Sequence, residues 1–174
     1  MASTASSINC IMEEKYLELL KKAYEMRFNS YTPYSHYKVG AALLCKNGKV
    51  YTGCNIENGA FSPTVCAERV AFFDAVKNGE RDFEAIAIAA GVGTDIEVGY
   101  ASPCGVCRQV MSEFCDDDFK IILSKARLNE PVVSVDSDRR VSKNKLPSEN
   151  HVLEIIEPKA YKLTEILPFR FNLE

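Results

Sequence analysis

Cys66-Ala67-Glu68 and, farther along, Pro103-Cys104-Gly105-Val106-Cys107 are the strings on which the reading of this chain turns. Together they bring three thiols and one carboxylate. A catalytic zinc needs such a set: three protein ligands, a fourth position left for water, and a non-ligating acid–base group beside it. A structural zinc site closes instead with a fourth Cys or His. Here the residue two places after Cys66 is a glutamate, and no second C-x-x-C occurs.

Each string follows a Ser-Pro pair, Ser62-Pro63 and Ser102-Pro103. Serine caps helices, and proline is tolerated at the first helical position, where no amide hydrogen is required. Two helices are therefore expected to start at these pairs, the first stopped by Gly79 and the second running to about Phe114. The motif cysteines then fall in first helical turns, where the macrodipole stabilises a thiolate by roughly 0.3–1 kcal/mol. Two helix N-termini converging on one cation explain the spacing physically. Two ordinary helix starts with incidental cysteines are the plain alternative.

Outward from these strings, Met12, Tyr16, Leu19, Leu20, Ala23 and Tyr24 recur at helical spacing and predict an amphipathic helix near 12–28. Lys38–Cys45 and Lys49–Asn55 read as strands joined by Asn47-Gly48, a pair that tolerates the positive φ of a type I′ turn. Glu84–Ala90 and Phe119–Ser124 are further strand candidates. The order helix, hairpin, helix, strand, helix, strand predicts an α/β fold, a three-layer α/β/α arrangement around a mixed sheet of about five strands.

The 174 residues are expected to form a single domain, 1–174. Within it, approximately 126–160 changes character and reads as an insertion, with Asn129-Glu130-Pro131, Asp136-Ser137-Asp138-Arg139-Arg140 and Lys143-Asn144-Lys145. Val132–Val135 and Val152–Ile156 are expected as two short strands of an inserted hairpin, with an exposed polar loop between them. Arg139 and Arg140 read as a solvated charge run in preference to an anion site.

Composition narrows the function. Seven cysteines, an odd number, do not suit a disulfide framework and fit reduced thiols, some of them on metal. Lys+Arg 21 against Asp+Glu 24 gives a net charge of −3, without the basic footprint of a polynucleotide binder. A small-molecule substrate is expected, with no nucleic-acid polymer. No apolar run approaches the roughly 18 residues of a membrane span. The apolar stretch Ile8–Met12 is too short for a signal peptide and no arginine precedes Arg27, so a cytoplasmic address is expected.

The assembled residues resemble the cytidine deaminase family, in its small homo-oligomeric, C-x-E branch. Five strings carry the likeness: Pro33-Tyr34-Ser35 leading to Val39-Gly40-Ala41-Ala42-Leu43; Gly53-Cys54-Asn55-Ile56-Glu57-Asn58; Cys66-Ala67-Glu68-Arg69; Ser102-Pro103-Cys104-Gly105-Val106-Cys107-Arg108-Gln109; and Glu165-Ile166-Leu167-Pro168 with Phe171 after it. They span roughly residues 12–125 continuously and the last dozen or so. Five in the right order are highly specific, and nucleotide and polynucleotide deaminases of the wider superfamily usually carry H-x-E. Tyr37 stands where the family commonly has Phe, and Phe61 where it commonly has Tyr. The 126–160 stretch is longer than is usual there.

The resemblance implies zinc-dependent hydrolytic deamination of cytidine and deoxycytidine to uridine and deoxyuridine, with release of ammonia, in pyrimidine salvage. It implies a homotetramer with one Zn2+ per subunit. Cys66, Cys104 and Cys107 become the zinc ligands and Glu68 the catalytic proton shuttle. Three thiolates and Zn2+ sum to −1, so Arg69 is expected to offset the charge on the sulfurs. Asn55 and Glu57, two apart at a strand end and so pointing to one side, are expected to grip a ribose hydroxyl; as residues alone they also read as loop caps. Tyr37, Phe61, Ala67 and Phe171 are expected around base or sugar, Phe171 from a neighbouring subunit. Two other functions compete: a deaminase of a nucleoside analogue or antibiotic, and a non-catalytic zinc module that binds a partner. Cys10, Cys45, Cys54 and Cys115 read as small hydrophobes, His36 as a surface residue, and Gly91-Val92-Gly93 as a loop without the rest of a dinucleotide fingerprint.

Overall fold

The structure is a computed structural model that describes residues 12–92, 97–130 and 151–168. Helix α1 (Glu14–Met26) continues as a 3-10 turn, Arg27–Asn29. Its buried stripe is Tyr16, Leu19, Leu20, Ala23 and Tyr24, the periodic residues of the sequence, with Met12 packed at the edge. An isolated helix of about 12–15 residues is marginal in water. Burial at about 1.5–3 kcal/mol per large apolar side chain is what holds α1 in place.

Strands β1 (Tyr37–Cys45) and β2 (Val50–Cys54) form the expected hairpin, with Gly40 opposite Cys54. The turn between them differs from the type I′ expectation. Gly48 has φ +86° whereas Asn47 does not enter the left-handed region. The Gly48 amide donates to Cys45 O at 2.9 Å, and the Cys45 amide to Lys49 O at 2.9 Å. This is the three-residue loop in which a glycine supplies the bulge, and only the glycine then needs positive φ.

Next come α2 (Ala67–Lys77), β3 (Phe83–Val92), β4 (Glu97–Val98), α3 (Gly105–Phe114), β5 (Lys120–Leu128), β6 (Leu153–Lys162) and the short α4 (Leu163–Ile166). Helix α2 stops as expected at Gly79: the Gly79 amide donates to Val76 O at 3.0 Å and the Glu80 amide to Ala75 O at 3.1 Å, a Schellman closure. The sheet is mixed and runs β2-β1-β3-β5-β4, with β6 on the other flank of β5. β1 is antiparallel to β2 and β3, while β3 and β5 are parallel and joined across α3.

The sheet has six strands rather than about five. The added β4 is two residues long, too short to leave a pattern in sequence; it pairs with Ala126 and Arg127 past Ile88–Leu123, the last pair between β3 and β5. β5 also outruns its predicted end at Ser124. Ala126 and Leu128 keep pointing into the core while Lys125 and Arg127 point out, so the alternation survives but the apolar run does not. β6 extends well past the predicted Val152–Ile156. Its exposed edge carries Glu154, Glu157 and Lys159, which disguise it as loop. A register shift opposite Leu123/Lys125 coincides with Glu157 at φ +48°, next to Pro158. The stretch 126–160 therefore begins and ends as strand, paired within the main sheet. Val132–Val135, Arg139, Arg140, Cys10 and Phe171 lie outside the described residues.

Two cores confirm the three layers. Ala41, Leu43, Ile86, Ile88, Ile121 and Leu123 join α2 and α3 on one face. Ala42, Leu44, Ala85, Ala87, Ala89 and Ile122 meet α1 on the other. β3 turns isoleucines to one face and alanines to the other, and the small side leaves room for the tyrosines of α1. Among the described residues no helix is long and apolar enough to cross a membrane.

Candidate active site

The helices that carry the cysteines start later than the Ser-Pro pairs suggest. Ser62 and Pro63 are the central residues of a turn closed by the Thr64 amide on Phe61 O at 2.9 Å. Val65 then pairs with Ile56 through two 3.0 Å hydrogen bonds, which keeps the chain extended up to Cys66. Cys66 itself is the N-cap of α2 and Cys104 the N-cap of α3, and neither side chain caps its helix. A Ser or Asp at such a position typically adds about 1 kcal/mol. The chain forgoes that twice, and both sulfurs stay free to ligate. Cys107 lies within the first turn of α3, so all three thiols sit at positive helix ends.

Gly53 sets where α2 begins. A Cβ there would stand 2.4 Å from Ala67 O and 2.5 Å from the Ala71 nitrogen, so any side chain would push the first turn of α2 off β2.

Cys66 Sγ lies 3.8 Å from Cys104 Sγ, and Cys104 Sγ lies 3.5 Å from Cys107 Sγ. Zinc–sulfur bonds of about 2.3 Å at tetrahedral angles put neighbouring sulfurs about 3.8 Å apart. The spacing fits zinc. Among the described residues the ligating cluster comprises these three side chains, the count expected where a position is kept for water.

Charge is distributed unevenly over the trio. The Cys66 thiol is pulled down to about 5 by its hydrogen bond with Cys107 and, against the cost of burial, by Arg69 and Cys104. Cys107 moves the other way, because a second charge beside Cys66 in a buried place is unfavourable. A bound cation replaces the remaining thiol protons. Arg69 Nη2 lies 3.7 Å from Cys66 Sγ and donates to Thr64 O at 3.1 Å, so the guanidinium is anchored beside the sulfur. Arg69→Gln is expected to weaken zinc retention or turnover by about 10–100-fold, as outer partners of metal ligands commonly do. Chelator competition and initial rates check this; unchanged values for both would remove Arg69 from the site.

Glu68 is 4% exposed. Burial pushes its carboxyl above the usual range, and the neighbouring Cys66 charge adds to the rise, while Cys107 is a hydrogen-bond partner that opposes it. A carboxyl so placed exchanges a proton more readily near neutral pH than one in water.

Of the remaining predicted residues within the described ones, Asn55, Glu57 and Phe61 lie on the segment between β2 and α2, Tyr37 opens β1 and Ala67 opens α2. Asn55 Oδ1 accepts from the Val39 amide at 2.8 Å, and Nδ2 donates to Tyr37 O at 2.9 Å. Glu57 accepts from the Tyr34 amide at 2.9 Å, the Ser35 amide at 3.3 Å and the Ser35 hydroxyl. Burial alone would raise the Glu57 carboxyl, but these three donors outweigh it and hold the group below its usual range. Both side chains thus act as loop caps, and each keeps unspent hydrogen-bonding capacity. Ile56 between them pairs with Val65, next to Cys66, which joins this loop to the ligand helix. Ala67 is fully buried at the start of α2. Tyr37 is 42% exposed, and Phe61 is 74% exposed at φ +59°, edge-on to Tyr34 with ring centroids 6.2 Å apart. Tyr31 and Tyr34 are exposed as well. Cys45 and Cys115 are buried, Cys54 is half-buried, and His36 is exposed, as expected.

A model of the cytidine and deoxycytidylate deaminase zinc-binding region matches residues 13–123. The chain belongs to this deaminase family. It is 50% identical over 114 residues to a cytidine deaminase of Sporosarcina psychrophila, covering 66% of this chain and 78% of that one. It is 48% identical over 105 residues to a cytidine deaminase of Halalkalibacterium halodurans, covering 60% of this chain and 76% of that one. In structure it is similar to the crystal structure of cytidine deaminase from Burkholderia pseudomallei, with a TM-score of 0.65 and 30% identity over 92% of this chain and all of that one. The family's zinc and its hydrolytic chemistry agree with the sulfur spacing. The match ends where β5 begins to run on toward the 126–160 stretch.

Proposed function

We propose that this chain deaminates cytidine and deoxycytidine hydrolytically, in a zinc-dependent reaction that yields uridine or deoxyuridine and ammonia. The observation that carries the reading is three sulfurs at zinc spacing with Glu68 buried beside them. Cys66, Cys104 and Cys107 hold the cation, which supplies the Lewis acidity that makes hydroxide available from water near neutral pH. Glu68 takes a proton from that water and delivers it to N3 of the cytosine ring as the oxygen bonds to C4; it then moves the remaining proton of that oxygen to the amine, and the C4–N bond breaks to release ammonia. Arg69 draws charge from the Cys66 sulfur and so preserves the electrophilic character of the centre. Asn55 and Glu57, already locked by backbone partners, present a rigid amide and carboxylate to a ribose hydroxyl. Tyr37, Phe61, Ala67 and Phe171 enclose base and sugar.

A carboxylate beside the sugar repels a phosphate, so the substrate is a nucleoside and not a nucleotide. A buried acid next to the ligands has no purpose in a non-catalytic zinc module; a blasticidin-S deaminase of Bacillus cereus is 33% identical over 120 residues, against 50% and 48% for the two cytidine deaminases, which favours the cytidine reading over an antibiotic substrate. We read 1–174 as one domain acting as a homotetramer in cytoplasmic pyrimidine salvage. The test is ammonia release from cytidine, deoxycytidine and cytidine monophosphate. Turnover of both nucleosides with the monophosphate at least about tenfold poorer is expected; a preference for the monophosphate would reject the Glu57 assignment.

A further inference from the structure

Arg108 stands directly after the ligand Cys107, near the N-terminus of α3. A cation there opposes the helix dipole, and α3 carries no acidic side chain in its first turn to offset it. Its position is explained by what it holds. Nε donates to Pro103 O at 2.7 Å and Nη1 to Ile166 O at 2.7 Å, with Nη2 3.5 Å from Ser102 Oγ. The backbone amide of the same residue donates to Cys104 O at 3.0 Å. One residue therefore pins the carbonyls on both sides of the Cys104 α-carbon.

Cys104 is the ligand that most needs this. Cys107 is packed into the core beside Met111 and Phe72, and Cys66 is half-buried under Arg69, whereas Cys104 is exposed and its side chain makes no capping bond. Packing fixes two of the sulfurs; backbone hydrogen bonds must fix the third. The carbonyl of Ile166 ties the same guanidinium to the α4 segment, which follows β6 and precedes the last residues of the chain.

We infer that Arg108 is the positioning residue of Cys104 and that, through Ile166, it makes zinc retention depend on the α4 segment. The inference rests on the zinc-ligand reading given above. Bridging two carbonyls in fixed directions requires the planar guanidinium fork; a lysine keeps the charge but offers a single nitrogen.

The test compares wild type, Arg108→Lys, Arg108→Gln and Lys162→Ala for zinc release to a chelator and, after cobalt(II) exchange, for the thiolate–cobalt absorption bands. Lys162 bonds Asp118 at 2.6 Å in an exposed ion pair beside α4, so its loss removes a weak surface contact and leaves both α4 and the guanidinium bridge to Ile166 in place. Both Arg108 variants are expected to release zinc about tenfold faster or more, with altered cobalt bands. Lys162→Ala should match wild type in both. Wild-type release and spectrum in a folded Arg108→Lys or Arg108→Gln would overturn the inference, as would equal disturbance by Lys162→Ala, which marks a merely structural bolt. A wild-type protein that takes up no zinc would overturn the ligand reading as well, so the two failures are distinguishable.

Discussion

Glu68→Ala yields a folded, zinc-loaded protein with deamination lowered by about 10⁴-fold or more. Each positioned proton transfer contributes about 10²–10⁴-fold. In the proposed mechanism Glu68 serves several transfers in one cycle, and its carboxyl is hydrogen-bonded to Cys107 of the sulfur cluster. Zinc survives because the glutamate is not a ligand. Stability should hold or rise, since the substitution removes a buried carboxyl that is costly to ionise. Metal analysis and thermal melting beside a cytidine assay separate these effects. Appreciable turnover by a zinc-loaded Glu68→Ala would exclude Glu68 as the shuttle.

Cys104→Ala has the second large effect, and it falls on the metal. Structural zinc binding is worth about 10–16 kcal/mol over four ligands, or roughly 2.5–4 kcal/mol for each. Removing one of three should weaken binding by about 10²–10³-fold. Cys104 is exposed, so its loss leaves no cavity in the core, unlike that of the buried Cys107. The variant should purify folded, deficient in zinc and inactive, with a lower melting temperature because the cation no longer ties α2 to α3. Full zinc occupancy in Cys104→Ala would show that the third ligand lies elsewhere.

How far these features could be read from the chain depended on how local they are. The cluster of three thiols was legible because a metal site needs particular atoms at short spacing, and Cys104 and Cys107 are three residues apart on one helical turn. The burial of α1 followed from its helical period, while β1 was marked by the Asn47-Gly48 turn beside it and β3 by its apolar run. The Ser-Pro pairs misled because capping propensity is a weak prior: the Ile56–Val65 pairing holds the chain extended to Cys66, and a tertiary contact overrides the cap. The run of β5 past Ser124 and of β6 past Ile156 was hidden by charged residues, Lys125 and Arg127 in the first and Glu157 and Lys159 in the second, which break the apolar run that the shorter strands showed. The Arg108 bridge to Ile166 was unreadable, since its partners are 58 residues apart and one is a backbone carbonyl. Asn55 and Glu57 were expected at a strand end and lie just past β2, and their locking by Val39, Tyr37 and the Tyr34–Ser35 amides appears only in three dimensions.

Metal and chemistry meet in one experiment. Purified protein is given cytidine while ultraviolet absorbance and ammonia are followed, before chelation, after it, and after zinc is returned. Conversion to uridine that stops with the chelator and resumes with zinc is the predicted result. A folded protein with one zinc per chain that leaves cytidine and deoxycytidine unchanged would contradict it.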